Sequence, residues 1–271
     1  MPSPTIDPAI RARLSQEALK GMSFLEHLEE LRRRIIWTFV YIAAGFGVCW
    51  WWHEQIYDFM QRPIMKALAA NHLDQKLVYL NPTEPFNMYL KMAFIAGLFV
   101  ASPFVLYQVW LFIAPGLYKR ERRYVLPFMF STVLLFLGGG VFGYYMVYPN
   151  ALTFLIGYSH QFSPMITISE YTDLFLTIIL GLGIVFEMPI LVFFLALMGI
   201  VSAGWMWRNL RYSILVIFVI AAIITPTTDI MNMCVFAAPM ILLYILSIGV
   251  AFLVHPKNRR KRREAQEAQE G

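Results

Sequence analysis

LFLTIILGLGIVFEMPILVFFLALM, residues 174–198, decides the fold class of this chain. The stretch is apolar along its whole length, and Glu187 is its only charged residue. An apolar run of about 20 residues is long enough to cross the hydrocarbon core of a bilayer as a helix. The stretch therefore predicts a transmembrane helix with one ionisable group near its middle.

The composition agrees with a membrane protein. Of the 271 residues, 59% are hydrophobic and only 14% are charged, well below the quarter or so that is usual in soluble proteins. This excludes a water-soluble enzyme, a disordered tail protein and a collagen-like fibre. The net charge of +5 does not indicate a nucleic-acid partner, because the basic residues form short clusters beside apolar runs.

Six apolar stretches predict an all-α, polytopic integral membrane protein with six transmembrane helices. The fifth stretch is short, and the connection that follows it, 226–229, is a tight turn. A locally thin bilayer would accommodate such a short span. The predicted spans are 35–52, 86–110, 124–148, 172–198, 212–225 and 230–254.

The distribution of Lys and Arg predicts the orientation. Eighteen of the 22 basic residues lie before the first span, after the second, after the fourth or after the sixth. The positive-inside rule places those segments, and both termini, in the cytoplasm. We expect an amino-terminal extension (1–22), a membrane domain (23–254) and a basic and polar tail (255–271) that is disordered and held near anionic lipids.

The outer connection 53–85 contains an apolar stripe at helical spacing. We expect a helix in the outer membrane interface, broken at Pro63. The connection 148–171 predicts a second outer cap. The stripe consists of Ile56, Phe59, Met60, Ile64 and Leu68.

The sequence motifs do not indicate an enzyme, a metal or a cofactor. HExxH, GxSxG and a Walker loop are all absent from the sequence, so the chain has no evident means of hydrolysing ATP. Any work that it does requires another source of energy.

Two acidic residues at the cytoplasmic side each allow two interpretations. In FLEHLEELRRR (24–34), Glu29–Arg33 and Glu30–Arg34 are i,i+4 pairs that would steady a helix entering the bilayer. Alternatively, one carboxylate faces the cytoplasm as a receptor for a cationic ligand. In the loop 112–124, Glu121 is the single acid among four bases, and the loop is either a headgroup anchor or part of such a receptor.

Glu187 and Asp229 also leave alternatives open. A charged group as deep as Glu187 is costly and usually faces a cavity or a partner, although a protonated acid bonded to a neighbouring helix is the structural alternative. Pro189 predicts a kink beside it. Asp229 follows Thr225–Pro226 and could be a simple turn cap.

Gly139 and Gly143 form a GxxxG pattern, which allows close helix approach but is often accidental in a Gly-rich span.

Four motifs resemble the TatC family. They are HLEELRRR (27–34), SPFVLYQVWLFIAPGLYKRERR (102–123), FEMP (186–189) and TPTTD (225–229). The resemblance covers residues 22–254. It implies the core receptor of the twin-arginine translocase in a bacterial-type inner membrane, which binds signal peptides with two consecutive arginines on folded cargo. It also implies TatA- and TatB-type single-span partners, self-association in a larger complex and use of the proton-motive force.

The resemblance also assigns residues. Glu30 and Glu121 occupy the two acidic positions that the family uses for signal-peptide recognition, and Glu187 matches its buried glutamate, associated with partner or signal contacts. Pro63 matches the proline of the outer loop, and Arg32 belongs to the basic part of HLEELRRR without an assigned role. Asp229 fits less well, because TPTTD is one residue longer than the family pattern. The loop motif adds Phe112, Lys119, Arg122 and Arg123 to the signal-peptide site.

Two other functions fit the sequence less well. A small-solute transporter or channel would need several polar groups around a site at the membrane midplane, and the spans offer little beyond Glu187. An intramembrane enzyme would need a paired nucleophile and base or a metal set, and the sequence offers neither.

Overall fold

The computed structural model of the chain describes residues 24–73, 76–113, 125–157, 165–225 and 230–254. These residues are almost entirely helical, apart from an isolated parallel bridge between Val78 and Thr167. The all-α fold class predicted from the sequence is confirmed. The helices are α1 (Phe24–Trp51), α2 (His53–Met60), α3 (Arg62–Ala70), α4 (Glu84–Ile113), α5 (Val125–Phe142), α6 (Tyr148–Gly157), α7 (Ile168–Val185), α8 (Met188–Leu197), α9 (Ala203–Arg208), α10 (Leu210–Ile224) and α11 (Ile230–Val254), with a π turn, Gly143–Val147, between α5 and α6.

Among the described residues, five stretches of helix are long and apolar enough to span a membrane. α10 is apolar too, but its 15 residues reach only about 22 Å at 1.5 Å per residue, less than the ~30 Å hydrocarbon core. α10 lies where the sequence predicts a short fifth span, so the six-span count stays a prediction. The five long stretches are His27–Trp51, Glu84–Phe112, Met129–Gly157, Ile168–Leu197 and Met233–Leu253.

Two helix ends differ from the predicted span ends. The third span was predicted to end at residue 148, but the helix continues through the π turn and α6 to Gly157. The fourth was predicted to begin at 172, but α7 begins at Ile168, where the Thr167 side chain accepts a hydrogen bond from the Glu170 backbone N–H. The Thr167 N-cap sets the start of α7, and the residues of α6 beyond 148 pack into the buried cluster of the protein.

Both predicted proline interruptions are present. Only Gln61 separates α2 from α3, and Pro63 lies in the first turn of α3. α7 and α8 are separated at Phe186 and Glu187, and Pro189 lies in the first turn of α8. Proline is favoured at this position because the first helical N–H groups have no partner within the helix.

α1 and α4 pack antiparallel through two glycines. A Cβ built on Gly45 would lie 2.4 Å from the Gly97 carbonyl oxygen, and one on Gly97 would lie 2.5 Å from the Phe46 nitrogen. Real Cβ atoms do not approach so closely, so only glycine allows this contact. Away from this contact, α1 leaves large side chains such as Trp37 and Phe39 exposed.

α5 packs against α7 through the GxxxG pattern. A Cβ on Gly139 would lie 2.6 Å from the Leu182 carbonyl oxygen, and one on Gly143 would lie 3.1 Å from a methyl carbon of Ile179. The pattern is therefore a packing feature and not an accident of composition. The same region contributes to a large buried cluster that α3, α8, α10 and α11 complete.

Candidate functional site

The amino-terminal part of α1 holds Glu30 in an ion pair. Arg34 Nη2 donates to Glu30 Oε1 over 3.0 Å, and only 14% of the Glu30 side chain is exposed. Arg34 Nη1 donates to Gln108 Oε1 of α4 over 3.3 Å. The predicted i,i+4 pair is therefore present, and it joins α1 to α4. The pair predicted between Glu29 and Arg33 is not among the ion pairs of the described residues.

Phe112 lies beside this acidic end of α1. Its ring stacks on the His27 ring, with centroids 4.5 Å apart and an angle of 20° between the planes. Phe112 is the last residue but one of α4, and the segment that carries Glu121 begins directly after that helix. The structure thus brings two of the predicted site residues, Glu30 and Phe112, to the same end of the α1–α4 pair.

The other residues of the predicted signal-peptide site are placed less fully. Arg32 is exposed and takes part in no ion pair within the described ranges. The predictions for Asp229 and for the loop after α4 fall outside the described residues. Those loop residues are Lys119, Glu121, Arg122 and Arg123.

Glu187 lies at the break between α7 and α8. Its backbone carbonyl accepts from the N–H groups of Ile190 and Leu191, which starts α8, but its side chain forms no capping hydrogen bond. Oε1 is buried and has no hydrogen-bond partner among the described residues. An unpaired carboxylate oxygen in an apolar environment costs free energy, so this position favours a polar partner from outside the described chain.

Pro63 lies at the opposite end of the bundle from Glu30. It is buried in the first turn of α3, next to two anchors that hold the turn between α2 and α3. The Tyr144 hydroxyl donates to the Phe59 carbonyl over 2.7 Å, and the Tyr171 hydroxyl donates to the Met60 carbonyl over 2.5 Å. The predicted apolar stripe thus packs partly onto the protein, because Met60 and its neighbours on α3 are buried.

Sequence reasoning missed two polar contacts. Gln108, a buried polar residue of α4, completes the Glu30–Arg34 arrangement, and its isolation in an apolar span is a signal that could have identified it. The second contact joins α4 to α7, where Lys91 Nζ lies 2.6 Å from Asp173 Oδ1. Their opposite charges near the same ends of two spans could have suggested that pair.

Comparison with known proteins gives a consistent match. The family model described as Sec-independent protein translocase protein (TatC) matches residues 26–239. A relative with that same description from Desulforapulum autotrophicum is 34% identical over 255 residues, covering 94% of this chain and 93% of its own. Another from Carboxydothermus hydrogenoformans is 36% identical over 239 residues, covering 88% and 96%.

Two solved structures have the same fold. A crystal structure of the twin arginine translocase receptor TatC superposes with a TM-score of 0.74 at 34% identity, covering 84% of this chain and 99% of that one. A second crystal structure of that receptor, in the detergent DDM, gives a TM-score of 0.75, also at 34% identity, and covers 83% and 99%.

Proposed function

The chain belongs to the TatC family of Sec-independent protein translocase proteins, and from that premise we propose that it is the subunit that binds twin-arginine signal peptides. As a family member it is a multi-pass inner-membrane component of protein translocation and not an enzyme. The proposal concerns the finer role, namely that the cytoplasmic ends of α1 and α4, with the loop after α4, recognise the peptide.

The observation that carries the proposal is the placement of Glu30 and Phe112 at the same end of the α1–α4 pair, where Phe112 stacks on His27. A guanidinium presents a planar fork of donors that a carboxylate accepts in a bidentate manner. Two consecutive arginines require two acceptors, and Glu121 would supply the second from the loop that follows α4. Arg34 donates to Oε1 of Glu30. Because a carboxylate can accept about four hydrogen bonds, Glu30 can still accept further ones from a peptide arginine. We infer that Arg34 orients Glu30 for the incoming arginine.

Peptide binding to the full chain in nanodiscs tests this role. Glu30→Gln and Glu121→Gln should each weaken binding of a twin-arginine peptide about tenfold or more, as expected for loss of a charged hydrogen bond. Glu29→Gln is the matched control, because Glu29 is exposed one residue away and should leave binding unchanged. A twin-lysine peptide should bind weakly to all variants. Unchanged affinity in the Glu30→Gln, Glu121→Gln double variant would refute the proposal.

For Glu187 we propose contact with a single-span partner of the TatA or TatB type. The support is the buried oxygen without a partner at a break in the helix. Glu187→Leu should abolish co-purification of the partner, and Glu187→Gln, which keeps a polar group, should retain much of it. Equal yields for wild type and Glu187→Leu would contradict this contact.

The orientation in the membrane is also a proposal. Both termini and the loop after α4 would be cytoplasmic, and the α2–α3 pair would face outward, with α10 as a sixth, short span. A reporter fused after residue 75 should read as external and one after residue 120 as cytoplasmic. The opposite readings would reverse the map. Solute flux through liposomes containing the purified chain would instead favour a transporter or channel.

A further inference from the structure

A cavity of about 410 Å³ lies beside the turn between α2 and α3. One wall is α3, which contributes Arg62 and Lys66, and the other is the π turn with α6, which contributes Tyr145 and Thr153. Among the described residues that line the cavity, Arg62 and Lys66 are basic and none is acidic. The cavity is remote from both Glu30 and Glu187, so what it binds does not depend on the receptor role.

The two bases share one face of α3. Arg62 and Lys66 are four residues apart in a helix, a spacing at which like charges repel. Both are exposed, and neither belongs to an ion pair in the described part of the chain. Two uncompensated cations held side by side favour an anion between them, and a phosphate is the anion that Arg and Lys side chains bind most readily.

Aromatic stacking fixes Arg62 at the cavity. Its guanidinium carbon lies 5.5 Å from the centroid of the Phe59 ring. The Phe59 ring stacks on the Tyr144 ring with centroids 4.5 Å apart and planes 10° apart. Tyr144 belongs to the π turn, a distortion that is frequent at functional sites. The cation is therefore held in place by contacts that reach the core of the bundle.

The position of the cavity along the helix indicates its depth. The stretch Met129–Gly157 has 29 residues and is about 43 Å long at 1.5 Å per residue, against a hydrocarbon core of ~30 Å. The third span predicted from the sequence ends at Tyr148, and the helix beyond that residue extends out of the hydrocarbon core. Tyr145 then lies in the interface, where Tyr side chains are enriched, and Thr153 lies at the level of the headgroups.

We propose that this cavity binds the phosphate headgroup of an anionic phospholipid. Arg62 and Lys66 would contact the phosphate, and Phe59 with Tyr145 would contact the less polar part of the lipid. Free phosphate offers the same anion, but the interfacial depth and the aromatic wall favour a molecule that has an apolar part. The site differs from diffuse attraction of lipids to the basic tail, because it is a defined volume with two positioned cations.

Native mass spectrometry of the full chain in detergent tests the site, with phosphatidylglycerol and phosphatidylcholine as probes. Arg62→Gln and Lys66→Gln should each weaken phosphatidylglycerol binding about fivefold, and the double variant about thirtyfold. Phosphatidylcholine binding should not change. Lys76→Gln is the control, since Lys76 is exposed and does not line the cavity. An equal loss in Lys76→Gln would overturn the proposal.

Two further arms separate the possible causes. Ala70→Trp keeps both charges but enlarges an exposed residue that lines the cavity, and it should reduce phosphatidylglycerol binding as the double variant does. Wild-type binding by Ala70→Trp would overturn the proposal by showing that surface charge alone attracts the lipid. Inorganic phosphate should compete poorly; displacement of phosphatidylglycerol at equal concentration would assign the site to free phosphate instead.

Discussion

The acidic end of α1 and the break between α7 and α8 each contain a glutamate, but only one of these glutamates is paired within the described chain. Glu30 accepts from Arg34 over 3.0 Å, and Arg34 also reaches Gln108. Glu187 has a buried oxygen with no partner among the described residues. The Glu30 carboxylate contributes to the packing of α1 on α4, whereas the unpaired oxygen of Glu187 lowers the stability of the chain.

The difference fits the two partners proposed for this chain, a signal peptide and a single-span protein. A carboxylate that is already oriented can accept a mobile peptide at the membrane surface without reorganisation. An unpaired carboxylate inside the membrane gains most from a partner helix that stays in place. Removing the two carboxylates should therefore change the stability of the chain in opposite directions.

The largest effect is expected from Gly97→Ala, which places a methyl group in the contact between α1 and α4. The added Cβ would lie 2.5 Å from the Phe46 nitrogen and 2.7 Å from the Gly45 carbonyl carbon. Both are backbone atoms, which cannot move aside as the end of a flexible side chain can. We expect a loss of about 3 kcal/mol in unfolding free energy, measured by denaturant titration in detergent. Gly47→Ala, with nothing within 4 Å of its added Cβ, is the control. Equal stability of the two variants would contradict the contact.

Glu30→Leu should destabilise the chain by about 2 kcal/mol. The substitution leaves Arg34, whose side chain is only 17% exposed, without its carboxylate, and an unpaired part-buried charge is costly. The same unfolding measurement checks it. Glu29→Leu, at an exposed neighbour, should change the unfolding free energy by less than about 0.5 kcal/mol. If both variants lost the same amount, Arg34 would not depend on Glu30.

Glu187→Leu should have the opposite sign. It removes an unsatisfied buried oxygen and loses no cap, since the Glu187 side chain makes no capping bond. The isolated chain should gain about 1 kcal/mol of unfolding free energy, while partner binding falls. A loss of stability comparable to that of Glu30→Leu would show that Glu187 has a partner within the chain and would remove the contrast between the two regions.

Local rules account for what the sequence predicted in these regions. The Glu30–Arg34 pair follows from i,i+4 spacing, and the interruptions at Pro63 and Pro189 follow from the missing proline N–H. Each of these features depends on residues within one or two turns of a helix. The same holds for the apolar length of the spans.

What the sequence did not predict depends on contacts between distant segments. Gly45 meets Gly97 only after α1 and α4 have packed, and the spacing of the two glycines in the sequence does not indicate that they are neighbours. The helix continues past residue 148, the predicted end of the third span, where α6 packs on the protein through Ala151 and Leu152. For the candidate site, sequence placed Glu30 and Phe112 at one membrane face, but the role of Gln108 required the structure.

The smallest effect is expected at the Lys91–Asp173 pair, which serves as a reference for Glu30–Arg34. Its side chains are 44% and 56% exposed, so water screens most of the attraction between them. A double-mutant cycle with Lys91→Gln and Asp173→Asn should therefore give a coupling free energy below about 1 kcal/mol. That coupling should decrease with added salt. The corresponding cycle with Glu30→Gln and Arg34→Gln should give a larger coupling that salt changes little, because that pair is mostly shielded from solvent. Equal couplings with equal salt dependence would mean that Glu30 is as accessible as a surface acid. In that case Arg34 would not pre-orient it, and peptide binding would have to rely on Glu30 without that constraint.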